Sequence, residues 1–288
     1  MVRSRRLELP RDFSHSDLNA ARLPVPPRPQ FYYIVPNNIP LISGRYQIAM
    51  RSASDDLIKP RPSLILIDNS NDLIKYKSAL EKMDTIVNSV ASGVKAETVW
   101  FLQHPEIYTA GTSANEKDLL APNRFPVYKT GRGGRFTYHG PGQVVGYVIL
   151  NLKNQKKDVR AYIHNLEKWI INTLRVFGVV GERRPGRVGI WVVTGVSTNG
   201  DPIEKKIAAI GVRIRNWITF HGVSLNVDPI LEHFDGIVPC GIKEHGVTSL
   251  ADLGVHTQME EVVNILKENF EETFECKLLP ETNSSQRE

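Results

Sequence analysis

Three segments of this chain carry side chains whose types and spacing could do chemistry. The first is Arg132-Gly133-Gly134-Arg135-Phe136-Thr137-Tyr138-His139-Gly140-Pro141-Gly142-Gln143, in which five of twelve residues are Gly or Pro. Glycine lets a backbone approach a ligand closely, and the Arg, Thr, Tyr, His and Gln between supply hydrogen-bonding groups. The phosphate-cradling patterns GxxxxGK[ST] and GxGxxG are absent from it, so it does not indicate a nucleotide. The second segment, Lys205-Lys206-Ile207-Ala208-Ala209-Ile210-Gly211-Val212, sets lysines beside small apolar residues. A lysine at the rim of an apolar slot has its charged form disfavoured by desolvation. The third runs from His221-Gly222-Val223-Ser224-Leu225-Asn226-Val227 to Ile237-Val238-Pro239-Cys240-Gly241-Ile242. Cys240 between proline and glycine reads as a turn cysteine, and a thiolate so placed is a nucleophile. On the residues alone, each segment also fits a plainer role: a structural turn, a solvated lysine pair, and a small buried hydrophobe.

These segments need a scaffold. Leu64 to Ile67 and the β-branched and aromatic run Thr98 to Leu102 read as strands. The apolar spacing of Leu73, Tyr76, Leu80, Met83, Val87 and Val90 predicts a helix ending near Gly93. A second helix is predicted from an Asp158 N-cap to Phe177, with Val159, Tyr162, Ile163, Leu166, Trp169, Ile170, Thr173, Leu174 and Phe177 as its apolar face. Gly189 to Thr194 reads as a strand, with a turn at Asn199-Gly200. A last helix is predicted from Thr257, with Glu260 completing a capping box. Few helices, several strands and hairpin signals give an α+β domain with a mixed β-sheet rather than a regular βαβ array.

The bulk numbers agree with an ordinary globular protein. Of 288 residues, 41% are hydrophobic, enough for one large core, and 23% are charged. Lys and Arg total 36 against 31 Asp and Glu, a net +5. That suits an acidic partner such as a carrier protein or a nucleic acid, and equally suits plain solubility. Two cysteines, Cys240 and Cys276, without a CxxC pair make a disulfide scaffold and a structural zinc site poor fits. No apolar run is long enough to span a bilayer, and Glu8, Pro10, Arg11 and Asp12 break any signal-peptide core. A cytoplasmic location is expected. Residues 1–60 are crowded with Pro24, Pro26, Pro27, Pro29, Pro36, Pro40 and Pro60 and are expected to form an extended, flexible leader, within which Met50 is an alternative candidate start. Residues 61–279 are expected to be the catalytic domain and 280–288 a polar tail.

Taken together the motifs resemble the lipoyl(octanoyl) transferase family. The matching stretches are RGG-x-x-TYHGPGQ at 132–143, KIAAIGVRI at 206–214, FHGVSLNV at 220–227 and IVPCGI at 237–242. His104-Pro105-Glu106-Ile107-Tyr108-Thr109-Ala110-Gly111 also resembles a family stretch. It departs from it at Gln103, where Glu is common, and at Glu106, where Pro is common.

The resemblance implies a fold similar to the catalytic domain of biotin and lipoate protein ligases. It implies an acyltransferase that moves an octanoyl group from octanoyl-acyl carrier protein to a lysine of a lipoyl domain. The acceptors implied are the lipoyl domains of 2-oxoacid dehydrogenases and the glycine cleavage H protein. No cofactor, metal, nucleic acid or membrane is implied. Cys240 would carry the acyl group as a thioester, and Lys206, not Lys205, would lower the cysteine pKa or act as base. Substrate contacts would fall on Arg132, Gly133, Gly134, Arg135, Phe136, Thr137, Tyr138 and His139, on Ala209, Ile210 and Gly211, and on Gly222, Val223 and Ser224. His221 is expected to brace the loops rather than contact substrate. An ATP-dependent lipoate or biotin protein ligase of similar fold and a non-enzymatic carrier-protein binding module are the alternatives.

Acyl transfer between thioesters, then to an amine, needs no ATP, in keeping with the missing phosphate loop. Burying seven acyl carbons at ~0.8 kcal/mol each gives roughly 5–6 kcal/mol before ordering costs. Ala208, Ala209 and Gly211 are small enough to leave that room.

Overall fold

A computed structural model describes residues 62–155, 157–238 and 246–281. The expected leader lies outside the described residues, as do Cys240 with its neighbours Pro239 to His245, and the end of the tail from residue 282.

The strands in chain order are β1 (Ser63–Leu73), β2 (Thr98–Gln103), β3 (Ile107–Ala110), β4 (Val127–Lys129), β5 (Phe136–His139), β6 (Gln143–Ile149), β7 (Glu182–Arg184), β8 (Arg187–Val196), β9 (Pro202–Arg215), β10 (Ile218–Asn226), β11 (Gly246–Val247) and β12 (Lys277–Pro280). The helices are α1 (Tyr76–Ala91), α2 (Val159–Val176) and α3 (Met259–Thr273). Among the described residues the main sheet is mixed, in the order β12-β1-β2-β6-β10-β9-β8-β7, with β11 paired to β9. A small second sheet runs β4-β3-β5. This is the α+β mixed-sheet architecture that the sequence predicts.

Helices cover both faces of the main sheet. α2 and α3 pack on one face, where Leu166, Trp169, Leu174, Val262, Leu266 and Phe270 bury against Val99, Phe101, Val148 and Leu225. The Trp169 indole N–H donates to the Leu266 carbonyl at 2.8 Å, so this interhelix contact is both apolar and hydrogen-bonded. α1 covers the other face with Ala79, Met83, Ile86 and Val87 against Trp100, Tyr147 and Phe220. Sheet strands sandwiched this way are buried on both sides. All seven residues of β6 and all nine of β10 are buried. Such strands show no in–out alternation in sequence.

α2 starts at Asp158, whose carboxylate accepts from the Arg160 and Ala161 N–H groups. Removing that cap would cost about 1 kcal/mol. Two local expectations are corrected. Leu73 ends β1 and is half exposed, so the apolar face of α1 begins at Tyr76. The capping box at Thr257 does not form: Gln258 is the N-cap, and the Thr257 hydroxyl donates to Glu261 instead of capping a backbone N–H. A carboxylate one turn on outcompetes the backbone for that hydroxyl. The final strand runs through Pro280, and the Glu281 N–H donates to the Leu66 carbonyl. No helix among the described residues is long and apolar enough to cross a membrane.

Candidate active site

The site is built on the middle of the β9–β10 hairpin. Antiparallel register sets Gly211 opposite Gly222, Ile210 opposite Val223 and Ala209 opposite Ser224. The bend 131–135 is laid over this floor and fixed by a backbone bond from the Gly133 N–H to the Val212 carbonyl at 2.8 Å. Arg132, buried, ties the bend to β3: one guanidinium nitrogen donates to the Thr109 carbonyl and hydroxyl, both at 2.7 Å. The fit excludes any side chain at Gly111, where a Cβ would collide with the Gly134 carbonyl and the Arg132 guanidinium.

Between bend and hairpin lies a cleft, open to solvent and lined by the bend 132–135, Phe136, Thr137, His139, Val188, Lys206, residues 209–211 and residues 222–224. A narrower cavity adjoins it, sharing Thr137, Lys206, Ala209 and Ser224 as walls and adding Gln143, Ala208, Asn226, Phe234 and Val247. The structure therefore brings together Lys206 and nearly every expected contact residue: Arg132, Gly133, Gly134, Arg135, Phe136, Thr137, His139, Ala209, Ile210, Gly211, Gly222, Val223 and Ser224. Tyr138 does not line the cleft. Alternation along β5 turns its ring into the cluster of Tyr108, Phe234 and Ile237, with its hydroxyl 2.8 Å from His233 Nδ1. Cys240 lies outside the described residues, but Phe234 and Val247, on either side of it in the chain, both line the inner cavity.

Lys206 is 5% exposed, and its amine donates to the Val188 carbonyl at 2.9 Å. Lys205 points the other way along the alternating strand, to an exposed pairing with Asp252 at 3.3 Å. The two lysines thus separate cleanly into a cleft residue and a surface residue.

Behind the cleft runs a chain of buried polar groups. Asn226 Nδ2 donates to the Thr248 carbonyl at 2.9 Å, so its Oδ1 faces Gln143 and accepts from Gln143 Nε2 at 2.8 Å. That leaves Gln143 Oε1 to accept from His139 Nδ1 at 2.6 Å. The pattern assigns the His139 proton to Nδ1 and leaves Nε2 as the acceptor nitrogen. Burial pushes His139 down to about 3, aided by the neighbouring His104, so its ring is neutral. His104, pushed down to about 4 by burial, bonds the Ile74 carbonyl and the Tyr147 hydroxyl. His221, also buried and lowered to about 3, is absent from the cleft wall; its ring packs edge-on against Tyr147.

The sequence names Gln143 only as a hydrogen-bonding member of its segment and assigns no role to Asn226, Gln103 or Val188. Gln103 Oε1 accepts from the Gly142 N–H at 2.8 Å and so braces the Gly-Pro-Gly turn. The usable signal for such braces is a lone amide side chain at the end of a buried apolar run, where an unsatisfied polar group would be costly.

Comparison with known proteins follows the same lines. Residues 75–271 match the model of the lipoyl protein ligase A/B catalytic domain. The chain is 58% identical to an octanoyltransferase of Parvibaculum lavamentivorans, over 70% of this chain and 88% of that protein. It is 56% identical to an octanoyltransferase of Paramagnetospirillum magneticum, over 71% of this chain and 94% of that one. Among solved structures, a lipoate-protein ligase A bound with ATP superposes with a TM-score of 0.60 at 17% identity, covering 78% of this chain and 90% of that one. A bipartite lipoate protein ligase system from Thermoplasma acidophilum gives 0.55 at 17% identity, covering 78% and 88%. At such identities the structural likeness speaks for the fold.

Proposed function

This chain belongs to the octanoyltransferases, acyltransferases of the lipoyl protein ligase A/B catalytic-domain family, and we propose that it moves octanoyl from acyl carrier protein to a lipoyl-domain lysine through a thioester on Cys240. The acceptors in this reading are the lipoyl domains of 2-oxoacid dehydrogenases and the glycine cleavage H protein, and the reaction takes place in the cytoplasm. Residues 61–279 carry it without the leader.

One observation supports the reading most: Lys206 lines both the cleft and the inner cavity, and Phe234 and Val247, which precede and follow Cys240 in sequence by six and seven residues, line that same cavity. In the first step the Cys240 thiolate attacks the donor thioester carbonyl. A Lys206 ammonium alongside favours the thiolate over the thiol. The tetrahedral intermediate collapses, the carrier's thiolate leaves and takes up a proton, and the acyl group stays on sulfur. In the second step the neutral amine of the acceptor lysine attacks that thioester. It loses a proton, an amide forms and the Cys240 thiolate is released. Exchange between thioesters is nearly isoenergetic and amide formation runs downhill, so no nucleotide is consumed.

The inner cavity suits the acyl tail. Its walls pair small residues, Ala208, Ala209 and Ser224, with apolar ones, Phe234 and Val247. The cleft, rimmed by Arg132 and Arg135, suits the polar portions of donor and acceptor.

The test is transfer from octanoyl-acyl carrier protein to a purified lipoyl domain with no nucleotide present. Amide-linked octanoyl on the acceptor is expected. A strict requirement for ATP and free octanoate would overturn the reading in favour of a ligase.

A further inference from the structure

The corner that holds Lys206 is more elaborate than a cleft wall needs. Lys206 lies directly across the β8–β9 ladder from Trp191. The register shifts by one between the pairs Ile190–Ala208 and Trp191–Lys206, which leaves Ile207 as the extra residue. A bulge of this kind re-aims the side chains beside it. Its result here is that the Lys206 amine stands over the Trp191 ring, 4.6 Å from the centroid.

Gly189 makes the room. Its φ is +119°, and a Cβ there would meet the Ala208 carbonyl oxygen at 2.7 Å and lie 3.2 Å from Lys206 Cε and 3.3 Å from Nζ. The Trp191 ring is itself fixed, with its indole N–H donating to the Arg187 carbonyl at 3.1 Å and only 2% of the residue exposed. The Arg187 guanidinium also stands over the ring, at 4.7 Å. Glu204 engages that second cation through a 2.6 Å ion pair with Arg187 and a further pair with Arg184. Its carboxyl is held below the usual range, first by the hydrogen bond from Arg184. Among the described residues, the remaining charged or titratable groups that line the cleft with Lys206 are Arg132, Arg135 and His139.

We propose that Trp191 is a positioning residue for the reaction: its ring face, with the room left by Gly189, holds the Lys206 amine as a cation at the junction of cleft and cavity. The ring's quadrupole attracts the ammonium more strongly when water is excluded. A fixed cation stabilises a nearby thiolate more than a wandering one. The inference rests on the proposed role of Lys206 and assigns a cause to it.

The test replaces Trp191, by site-specific incorporation in the full chain, with tryptophans carrying one to four ring fluorines. Fluorine drains the ring face with little change of shape. The readout is the pH dependence of Cys240 alkylation, with Lys206→Ala alongside and thermal melts as a check on folding. The midpoint is expected to climb with each fluorine, by about one pH unit across the series, with melting temperature unchanged and Lys206→Ala shifting at least as far. A midpoint that stays fixed through the fluorine series while Lys206→Ala moves it overturns the role of Trp191 alone. If Lys206→Ala leaves the midpoint in place, the proposed role of Lys206 fails and this inference falls with it. Trp191→Phe, which keeps a weaker ring face, should fall between the native ring and Trp191→Leu.

Discussion

His139 Nδ1 stands 2.6 Å from Gln143 Oε1, and the bonds behind Gln143 make the histidine the donor. A residue that lines the cleft is thereby locked in one tautomer by an amide two strands deep. Replacing Gln143 with leucine keeps the volume and removes the chemistry. It leaves the His139 N–H and the Asn226 carbonyl oxygen without these partners, each costing ~1–3 kcal/mol. Gln143→Leu should therefore lose about 3 kcal/mol of stability in urea melts and lower kcat/KM for octanoyl transfer by about tenfold or more. Wild-type stability in this variant would show that the chain does not matter.

The buried histidines give stability a defined pH dependence. His104, His139 and His221 are lowered to about 4, 3 and 3 by burial. A histidine in the unfolded chain titrates near 6.5. Below that pH the unfolded state binds protons that the folded state refuses, so stability is fully present above about 6.5 and falls as pH drops towards 3–4. Three such groups give a limiting slope of about 4 kcal/mol per pH unit. His221→Asn tolerates the positive φ of 57° at this position and should flatten the slope by about one proton's worth. Urea denaturation between pH 4.5 and 7 measures it, and a slope unchanged in the variant would contradict the assignment.

Ala209 is a wall shared by cleft and cavity and pairs with Ser224 across the hairpin. A phenylalanine there would fill the space assigned to the acyl tail. Displacing three or four methylenes at ~0.8 kcal/mol each predicts about a 50-fold or greater loss of kcat/KM for octanoyl. Butanoyl transfer should be much less affected. Equal losses for both chain lengths would place the tail elsewhere.

Much of this site was legible because its parts are local runs. Residues 132–137, 209–211 and 222–224 each appear as contiguous polar-glycine or small-apolar stretches, and strand pairing then stacks them. The helices were legible from period and caps, as Asp158 shows. What stayed hidden depends on register. β6 is buried on both faces and has no alternation to read, so the sequence does not show that Gln143 opens a buried strand and anchors His139. Tyr138 shares its motif with the cleft residues, yet the pleat sends it into another core. Thr257 looked like a cap because spacing cannot show that Glu261 claims its hydroxyl. Gly189 did leave a trace, since a glycine within a β-branched strand marks close approach. What approaches first is the Ala208 carbonyl, and beside it the Lys206 side chain, both one strand away.

Intact-protein and peptide mass spectrometry after incubation with octanoyl-acyl carrier protein, with acceptor withheld, bears most directly on the whole account. One octanoyl group on the peptide that contains Cys240, labile to hydroxylamine and lost on adding lipoyl domain, is the predicted result. Cys276, 1% exposed in the main core, should stay unmodified. Full transfer activity in Cys240→Ala, or an octanoyl group carried on any other side chain, would contradict it.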